Sequence, residues 1–466
     1  MSRTRVLLGS GVTALAVAAV VGVPALLAPT AQPTAGQQAA APAPTQPAAA
    51  AAVPTSPAPT ATPDRIVLNP DTDLDARQTV TWRTSTDVTA PQAQISPDTA
   101  DPWGFKTVTV KASRTTNQQA DGGYSQAFHT ATFEALKPGT TYLYRVGDGS
   151  IWSPWLRFTT GKPAAPTTSL IAMGDIQTGI RSDWSRVALA AYGDRPQARG
   201  LISVGDHTNT FNNDAQWDEL LDAAAPLSNG RVWMPAIGNH EYRSTDSGEL
   251  TPQFRAQFPA PANGPTDFPQ FAGTTYYTDI DNVRVVTLNS YYRVPADKKD
   301  EQRWLDSQAR WMESILANNP REFTIVNFHY PVYSSSPDRA NPELRNTWQP
   351  IFEKYGVDLV LQGHDHAYVS GQRDVRGRNT GPVYVTSSSS IRQYPQDYSD
   401  WTKNGATPKT AYQSLMTYQL IDLQDRTLTY TAKDSTGRIT DQWTVAHRGN
   451  TKQVKHIQGI GVQRTS

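Results

Sequence analysis

Five times between Thr168 and His366 an apolar run breaks off into a polar side chain able to bind a metal. Met173 gives way to Gly174-Asp175, Val204 to Gly205-Asp206, and Ile237 to Gly238-Asn239-His240-Glu241. Phe328 gives way to His329, and Val357–Leu361 leads through Gln362-Gly363 to His364-Asp365-His366. The runs Ser169–Met173, Leu201–Val204, Val232–Ile237, Arg284–Leu288, Phe323–Phe328 and Val357–Leu361 have the composition of strands buried on both faces. Between them, Asp214–Ala224 carries Trp217, Leu220 and Leu221 on one helical face. Trp304–Leu316 repeats the pattern with Trp304, Leu305, Gln308, Trp311, Met312 and Ile315, a stripe that reads as core. Strands alternating with helices predict an α/β layered domain, in which ligands gather at the carboxyl ends of strands. Further strands at Pro382–Thr386, Met416–Leu423 and Thr427–Ala432 predict that the sheet doubles into a sandwich flanked by helices.

A single Gly-Asp after a strand is an ordinary turn. Five such strand ends in succession form a ligand set instead: two carboxylates, an amide oxygen and three imidazoles, enough for two adjacent metal ions. Glycine precedes four of the five, which lets backbone segments approach closely. His364 and His366 are two apart, so on extended backbone their side chains would point the same way. Five of the eight histidines, counting His207 directly after Asp206, lie at these strand ends. The chain has no cysteine, so disulfides, thiolate sites and a cysteine nucleophile are excluded, and any metal must be held by N and O ligands.

The rest of the 466-residue chain is modular. Arg3 and Arg5 precede an apolar run from Val6 to about Ala28, so residues 1–30 read as an export signal, cleaved or retained as an anchor. Residues 31–63 are an Ala/Pro/Thr-rich spacer without aromatic residues, expected to be disordered. Residues 64–161 hold seven candidate strands: Arg65–Leu68, Thr79–Thr84, Gln92–Ser96, Thr107–Lys111, Phe128–Phe133, Thr141–Val146 and Trp155–Thr159. Their turn spacing predicts a β-sandwich, with Val80, Trp82, Tyr142, Tyr144 and Val146 facing inward and His129 in a structural role. The α/β domain spans 168–447, and the basic segment 448–466 is expected to be a frayed, solvated tail. Equal numbers of basic and acidic side chains, 42 each, point away from electrostatic capture of nucleic acid. No membrane partner is expected beyond an N-terminal anchor.

The ordered series GD, GD, GNHE, His and GHDH resembles the calcineurin-like metallophosphoesterase superfamily. The preceding Leu136-Lys137-Pro138-Gly139-Thr140-Thr141-Tyr142 and Tyr144-Arg145-Val146-Gly147-Asp148-Gly149 look like the purple acid phosphatases, which place a fibronectin-III-like domain before the metal domain. This resemblance implies that Asp206 bridges two metals, that Asp175 and His366 bind the first, and that Asn239, His329 and His364 bind the second. It gives His240 the phosphate contact and the protonation of the leaving oxygen. Two such ions acidify a water and clamp the attacking and leaving oxygens, so no side-chain nucleophile is needed.

Two positions depart from the family. Purple members place a metal-binding tyrosine three residues after the bridging Asp, where this chain has Asn209. Many non-purple relatives have His two residues after the first Asp, where this chain has Gln177. Either Asn209 or Gln177 is a candidate neutral donor to the first metal. Without tyrosinate the expected pair is iron with a divalent ion (Zn, Mn or Fe), or two divalent ions. His207 is a candidate substrate contact and, less so, a metal contact. Arg339 is either a phosphate ligand or a solvated loop charge. The resulting expectation is a secreted or cell-surface, acid phosphatase-like enzyme acting on a small phosphorylated substrate, hydrolysing monoesters with a metal-activated hydroxide. The alternatives are a phosphodiesterase or nucleotide pyrophosphatase on the same core, and a secreted binding module with a vestigial site.

Overall fold

The alternating segments after the spacer form eight strands: β1 (Asp64–Asn69), β2 (Gln78–Thr84), β3 (Gln92–Pro97), β4 (Val108–Lys111), β5 (Arg114–Gln119), β6 (Ser125–Phe133), β7 (Thr141–Gly147) and β8 (Leu156–Thr159). The computed structural model describes residues 56–463 apart from 245–247, 294–297, 337, 376–379 and 450. The expected export signal and most of the spacer lie outside the described residues. Val80, Trp82, Tyr142, Tyr144 and Val146 are buried in one cluster with Phe133 and Phe158, as the alternation predicted. His129 is structural: its two ring nitrogens lie 2.8 Å from Thr84 Oγ1 and 2.9 Å from Thr115 Oγ1. Strand β5 was not expected. Its sequence, RTTNQQ, is polar throughout because it is an edge strand with little to bury.

The second part supplies β9 (Thr167–Met173), β10 (Gly200–Ser203), β11 (Val232–Pro235), β12 (Tyr276–Ile280), β13 (Val283–Thr287), β14 (Phe323–Asn327) and β15 (Leu359–Gln362). It continues with β16 (Tyr368–Arg373), β17 (Val383–Thr386), β18 (Ala406–Tyr412), β19 (Thr417–Gln424), β20 (Thr427–Asp434), β21 (Ile439–Arg448) and β22 (Thr451–Gly459). The α-helices are α1 (Ser185–Asp194), α2 (Asp214–Ser228), α3 (Pro252–Gln257), α4 (Lys298–Ala317), α5 (Pro342–Lys354) and α6 (Ser399–Lys403). One large sheet runs β22-β21-β20-β19-β9-β10-β11-β1-β2-β6-β5, and a second runs β12-β13-β14-β15-β17-β16-β18. Leu170, Ala172 and Ile202 of the first pack against Val285, Ile325 and Leu361 of the second. Alternate residues of the same strands, Ile171 and Val286 among them, face a helix-covered layer that contains Trp184, Trp217, Trp304 and Trp348. Among the described residues no helix is long and apolar enough to cross a membrane.

Two features differ from the expectation. First, the sandwich does not close on itself. β1 pairs in parallel with β11 through Leu68↔Val232, so one sheet runs through both parts of the chain. Alternation identifies β1 as a strand without naming its neighbour. Second, the basic tail is not frayed. Thr451–Gly459 pairs along β21 as the last strand of the large sheet, with Val454 buried in the inter-sheet core. Its single buried apolar residue left it without a hydrophobic pattern.

Buried charge locks the two parts together. Asp214, at the start of α2, accepts from Arg65 Nη2 at 2.8 Å, Arg83 Nη1 at 3.2 Å, Gln126 Nε2 at 2.9 Å and Tyr124 Oη at 2.7 Å. Burial alone would raise its pKa, but these donors, Arg65 foremost, hold it well below the usual carboxylate range. Asp214→Ala would leave the buried Arg65 guanidinium with only the longer carboxylate contact to Asp218, while Arg83 keeps Asp64, so it is expected to cost about 3–5 kcal/mol, read by urea unfolding.

A second clamp sits at the other end. His447 on β21 lies 3.0 Å from Glu322 and 2.8 Å from Asp358, the latter just ahead of β15. Burial opposes its protonation, yet the Asp358 and Glu322 contacts outweigh this and raise its pKa. A raised folded pKa contributes stability that is fully present below about pH 6.5 and lost as pH rises through the folded value. His447→Gln should flatten the stability–pH curve in that window, as measured by thermal unfolding from pH 6 upward.

Candidate metal centre

The five strand ends named in the sequence converge at the carboxyl edge of the two sheets. Each turn is tight. Cβ atoms built on Gly174, Gly205 and Gly363 would lie 2.3 Å from the Ser387 carbonyl, 2.5 Å from the Gly238 nitrogen and 2.4 Å from Asp175 Oδ2. Four of the six ligand candidates are not on extended backbone. Asp175, Asp206, His364 and His366 have φ of 45°, 52°, 73° and 45°, the left-handed region that costs a non-glycine residue about 1–3 kcal/mol. His364 and His366 therefore do not share one direction by strand alternation, as the spacing had suggested. They enter two different clusters.

Asp206, His329 and His364 each offer one ligand atom within 4.8 Å of the others, and so do Asp175, Asp206 and His366. Asp206 is common to both. His329 Nδ1 donates to the Val204 carbonyl at 2.8 Å, which leaves Nε2 facing Asp206 Oδ2 at 3.1 Å and Asn239 Oδ1 at 3.2 Å. His366 Nδ1 donates to the Arg392 carbonyl at 3.0 Å, and its Nε2 lies 3.6 Å from Asp175 Oδ1. A histidine with one nitrogen tied to a carbonyl presents the other as a metal ligand in a fixed orientation. The His364 backbone N–H donates to both Asp175 oxygens, at 3.0 and 2.9 Å.

Burial and mutual charge set the protonation states. Burial pushes Asp175 well above the carboxylate range, and the Asp206 charge adds to this against the pull of His329. Burial also opposes ionisation of Asp206, but His329 and His240 hold its pKa below the usual range. His329 is shifted the other way, up to about 9, because Asp206 overcomes its desolvation. A cation between these two groups would take the place of that proton. Burial depresses His364 well below its ordinary value and His366 to about 4, so both keep a free lone pair at neutral pH. Carboxylate, amide and imidazole donors suit Zn, Mn and Fe, and the residues fit a pair of such ions.

His240 stands at the mouth of this cluster. Its Nδ1 donates to the Asn209 carbonyl at 2.7 Å, and its Nε2 lies 3.9 Å from Asp206 Oδ2. It lines a cleft of about 590 Å³ together with Asn239, His364, Arg243, Arg293 and Arg339. Arg339 is not a free loop charge: Nη1 donates to the His364 carbonyl at 2.9 Å, and the guanidinium lies 4.8 Å over the Tyr394 ring. Gln177 reaches the first cluster, with Nε2 2.7 Å from His366 Nε2. Asn209 does not. Its carboxamide oxygen faces Arg392 Nη1 at 3.4 Å.

His207 is a correction. It touches neither cleft nor cluster but is fully buried, with Nε2 2.7 Å from Ser203 Oγ and its ring packed by Trp217, Trp233, Phe254 and Phe258. The side chain points away from the ligand atoms of Asp206 and into the core, where four aromatic side chains from distant segments enclose it and keep it from substrate.

Three further groups, Glu241, Arg392 and Tyr394, shape the site without belonging to the predicted ligand set. Glu241 is fully buried, and its carboxylate accepts from the backbone N–H groups of Gly238 at 2.7 Å, Asp206 at 2.9 Å and His207 at 2.8 Å. Its position three residues after Gly238 at a helical turn was the signal that could have found it. Arg392 and Tyr394 come from a loop with no motif. Glu241→Gln would set an amide N–H against backbone N–H groups. It is expected to lower metal affinity roughly 10–100-fold, measured by titration of the metal-depleted protein.

Comparison with known proteins agrees with this geometry. The profile of the purple acid phosphatase N-terminal domain matches residues 63–160, and that of the calcineurin-like phosphoesterases matches 168–368. An uncharacterized protein of Mycobacterium tuberculosis is 28% identical over 352 residues, 67% of this chain and 63% of its own length. This chain thus spans a little under two thirds of that relative. Acid phosphatase type 7 of Homo sapiens is 26% identical over 368 residues, 71% of this chain and 78% of its own. A purple acid phosphatase from yellow lupin (Lupinus luteus) seeds superposes with a TM-score of 0.67 at 18% identity, covering 83% of this chain and 74% of the lupin chain, and so shares the fold. Residues 168–368 thus form a calcineurin-like phosphoesterase domain, preceded at 63–160 by a purple acid phosphatase N-terminal domain.

Proposed function

We propose that the protein is an exported dinuclear-metal phosphatase that hydrolyses phosphate monoesters. The observation that carries this reading is the sharing of Asp206 between two ligand clusters, with His240 at the cleft mouth above it. Asp175, Asp206 and His366 would hold the first ion, and Asp206, Asn239, His329 and His364 the second. The pair of ions supplies an acidified water and neutralises charge on the phosphoryl oxygens. His240, held by the Asn209 carbonyl through Nδ1, presents Nε2 to the leaving oxygen and donates a proton there. Arg339, anchored on the His364 carbonyl, binds the remaining phosphate oxygens. A monoester carries about −1.5 to −2 charge at neutral pH, and Arg293 and Arg339 in the cleft lining, set against Asp338, favour it over a singly charged diester, while Arg243 is held by Glu249.

One observation favours a second reading, a phosphodiesterase. A groove of about 450 Å³, lined by Gln177, Thr178, Arg181, Asn209 and Gln216, adjoins the cleft at Asn209 and has room for a second ester arm. Export is the reading of the basic and apolar N-terminus, which mass analysis of the native protein from the culture medium would test.

The purified protein is expected to hydrolyse an aryl phosphate, to prefer it to the bis-aryl diester, and to lose activity with a strong chelator. His240→Ala should retain both metals and lower kcat roughly 10²–10⁴-fold. Turnover that persists after verified metal removal overturns the proposal. A preference for the diester selects the second reading, and metal loss in His240→Ala would make that residue structural.

A further inference from the structure

Gln177 and Asn209 are both neutral amides within reach of the first cluster by sequence, but only one of them is delivered to it. Asn209 is exposed, and its carboxamide oxygen is engaged by Arg392. Gln177 is 2% exposed. Its backbone N–H donates to the Asp206 carbonyl at 3.2 Å, so the loop turns back after Asp175 and sends the side chain inward.

The amide ends among metal-ligand atoms. Gln177 Nε2 lies 2.7 Å from His366 Nε2 and 3.3 Å from Asp206 Oδ2. Both of these atoms present lone pairs. His366 spends its proton on the Arg392 carbonyl through Nδ1, and the Asp206 carboxylate offers its oxygen toward the same amide end. Gln177 Oε1, by contrast, is buried without a hydrogen-bond partner. A half-turn about the last side-chain bond exchanges the two ends and directs Oε1 at the same point as His366 Nε2 and Asp206 Oδ2. Acceptors converging on one point repel one another unless a cation lies among them.

We propose that Gln177 completes the first metal site as its fourth protein donor, through Oε1. This rests on the dinuclear reading above and adds a ligand to it. The two donor sets then match in kind. Asp175, Asp206, His366 and Gln177 face the first ion, and Asp206, Asn239, His329 and His364 face the second, with one neutral amide in each. A neutral amide in place of a phenolate removes a negative charge from the first site. The centre therefore selects two divalent ions, and ferric iron bound there gives no phenolate-to-metal absorption.

The test uses the mature protein stripped of metal and titrated with Mn(II), followed by calorimetry and electron paramagnetic resonance. Wild type is expected to bind two ions per chain and to show a spin-coupled pair. Gln177→Leu should keep one ion at unchanged affinity, weaken the other roughly tenfold or more, and lose the coupled signal. Gln177→Glu, which retains the donor and adds charge, should keep both ions and tighten the weaker one. Two ions at unchanged affinity in Gln177→Leu, or a weaker second ion in Gln177→Glu, overturns the proposal. So does an intense visible band in the ferric-loaded wild type, since that requires a tyrosine in place of Gln177. Wild type that binds fewer than two ions overturns the dinuclear reading and this proposal together; full wild-type binding with an indifferent Gln177→Leu overturns this proposal alone.

Discussion

The buried carboxylate of Glu241 is the contact from which the centre is built. It gathers three backbone N–H groups from two loops that follow adjacent parallel strands, and so fixes the distance between Gly205-Asp206 and Gly238-Asn239. A buried anion is costly unless its lone pairs are filled, and here they are. The loops then meet so closely that a Cβ on Gly238 would lie 2.2 Å from Asp206 Oδ1. With that spacing set, the His240 backbone N–H reaches Asp206 Oδ1 at 2.9 Å and the imidazole is placed above the shared carboxylate.

Around that anchor the site gathers carboxyl groups at close range. Asp175 and Asp206 are both buried, and the protein supplies one protonated imidazole, His329, against them. Left-handed backbone at four ligand positions adds strain. Such an arrangement is stable only inside a scaffold that over-determines it. The two sheets provide this, with the ladders β9-β10-β11 and β13-β14-β15 delivering every ligand loop from a paired strand end.

The N-terminal strands belong to the same scaffold. Their arginines Arg65 and Arg83 close on Asp214, the first residue of α2, and α2 follows directly on the loop that carries Asp206 and Asn209. Gln257 Nε2 also donates to the Arg65 carbonyl at 2.9 Å. The β-rich domain thus braces the helix that backs the site, although none of its residues is in either ligand cluster.

What could be read from the chain alone was whatever depends on local period and on short spacing. Buried parallel strands are continuous apolar runs, so β9, β10, β11, β14 and β15 and the polar residues after them stood out, and with them the six ligand candidates. The absence of cysteine restricted the donors to N and O by composition. The long-range decisions belonged to the tertiary structure. Alternation could not say that β1 would pair with β11, nor that a polar tail would become β22, because the pairing energy of an edge strand lies in its backbone. The fate of Gln177, Asn209 and His207 turned on the backbone contact of Gln177 to the Asp206 carbonyl, on Arg392 arriving from a loop 183 residues beyond Asn209, and on aromatic rings closing over His207. Those are contacts between segments far apart in sequence, and only the folded chain brings them into one place.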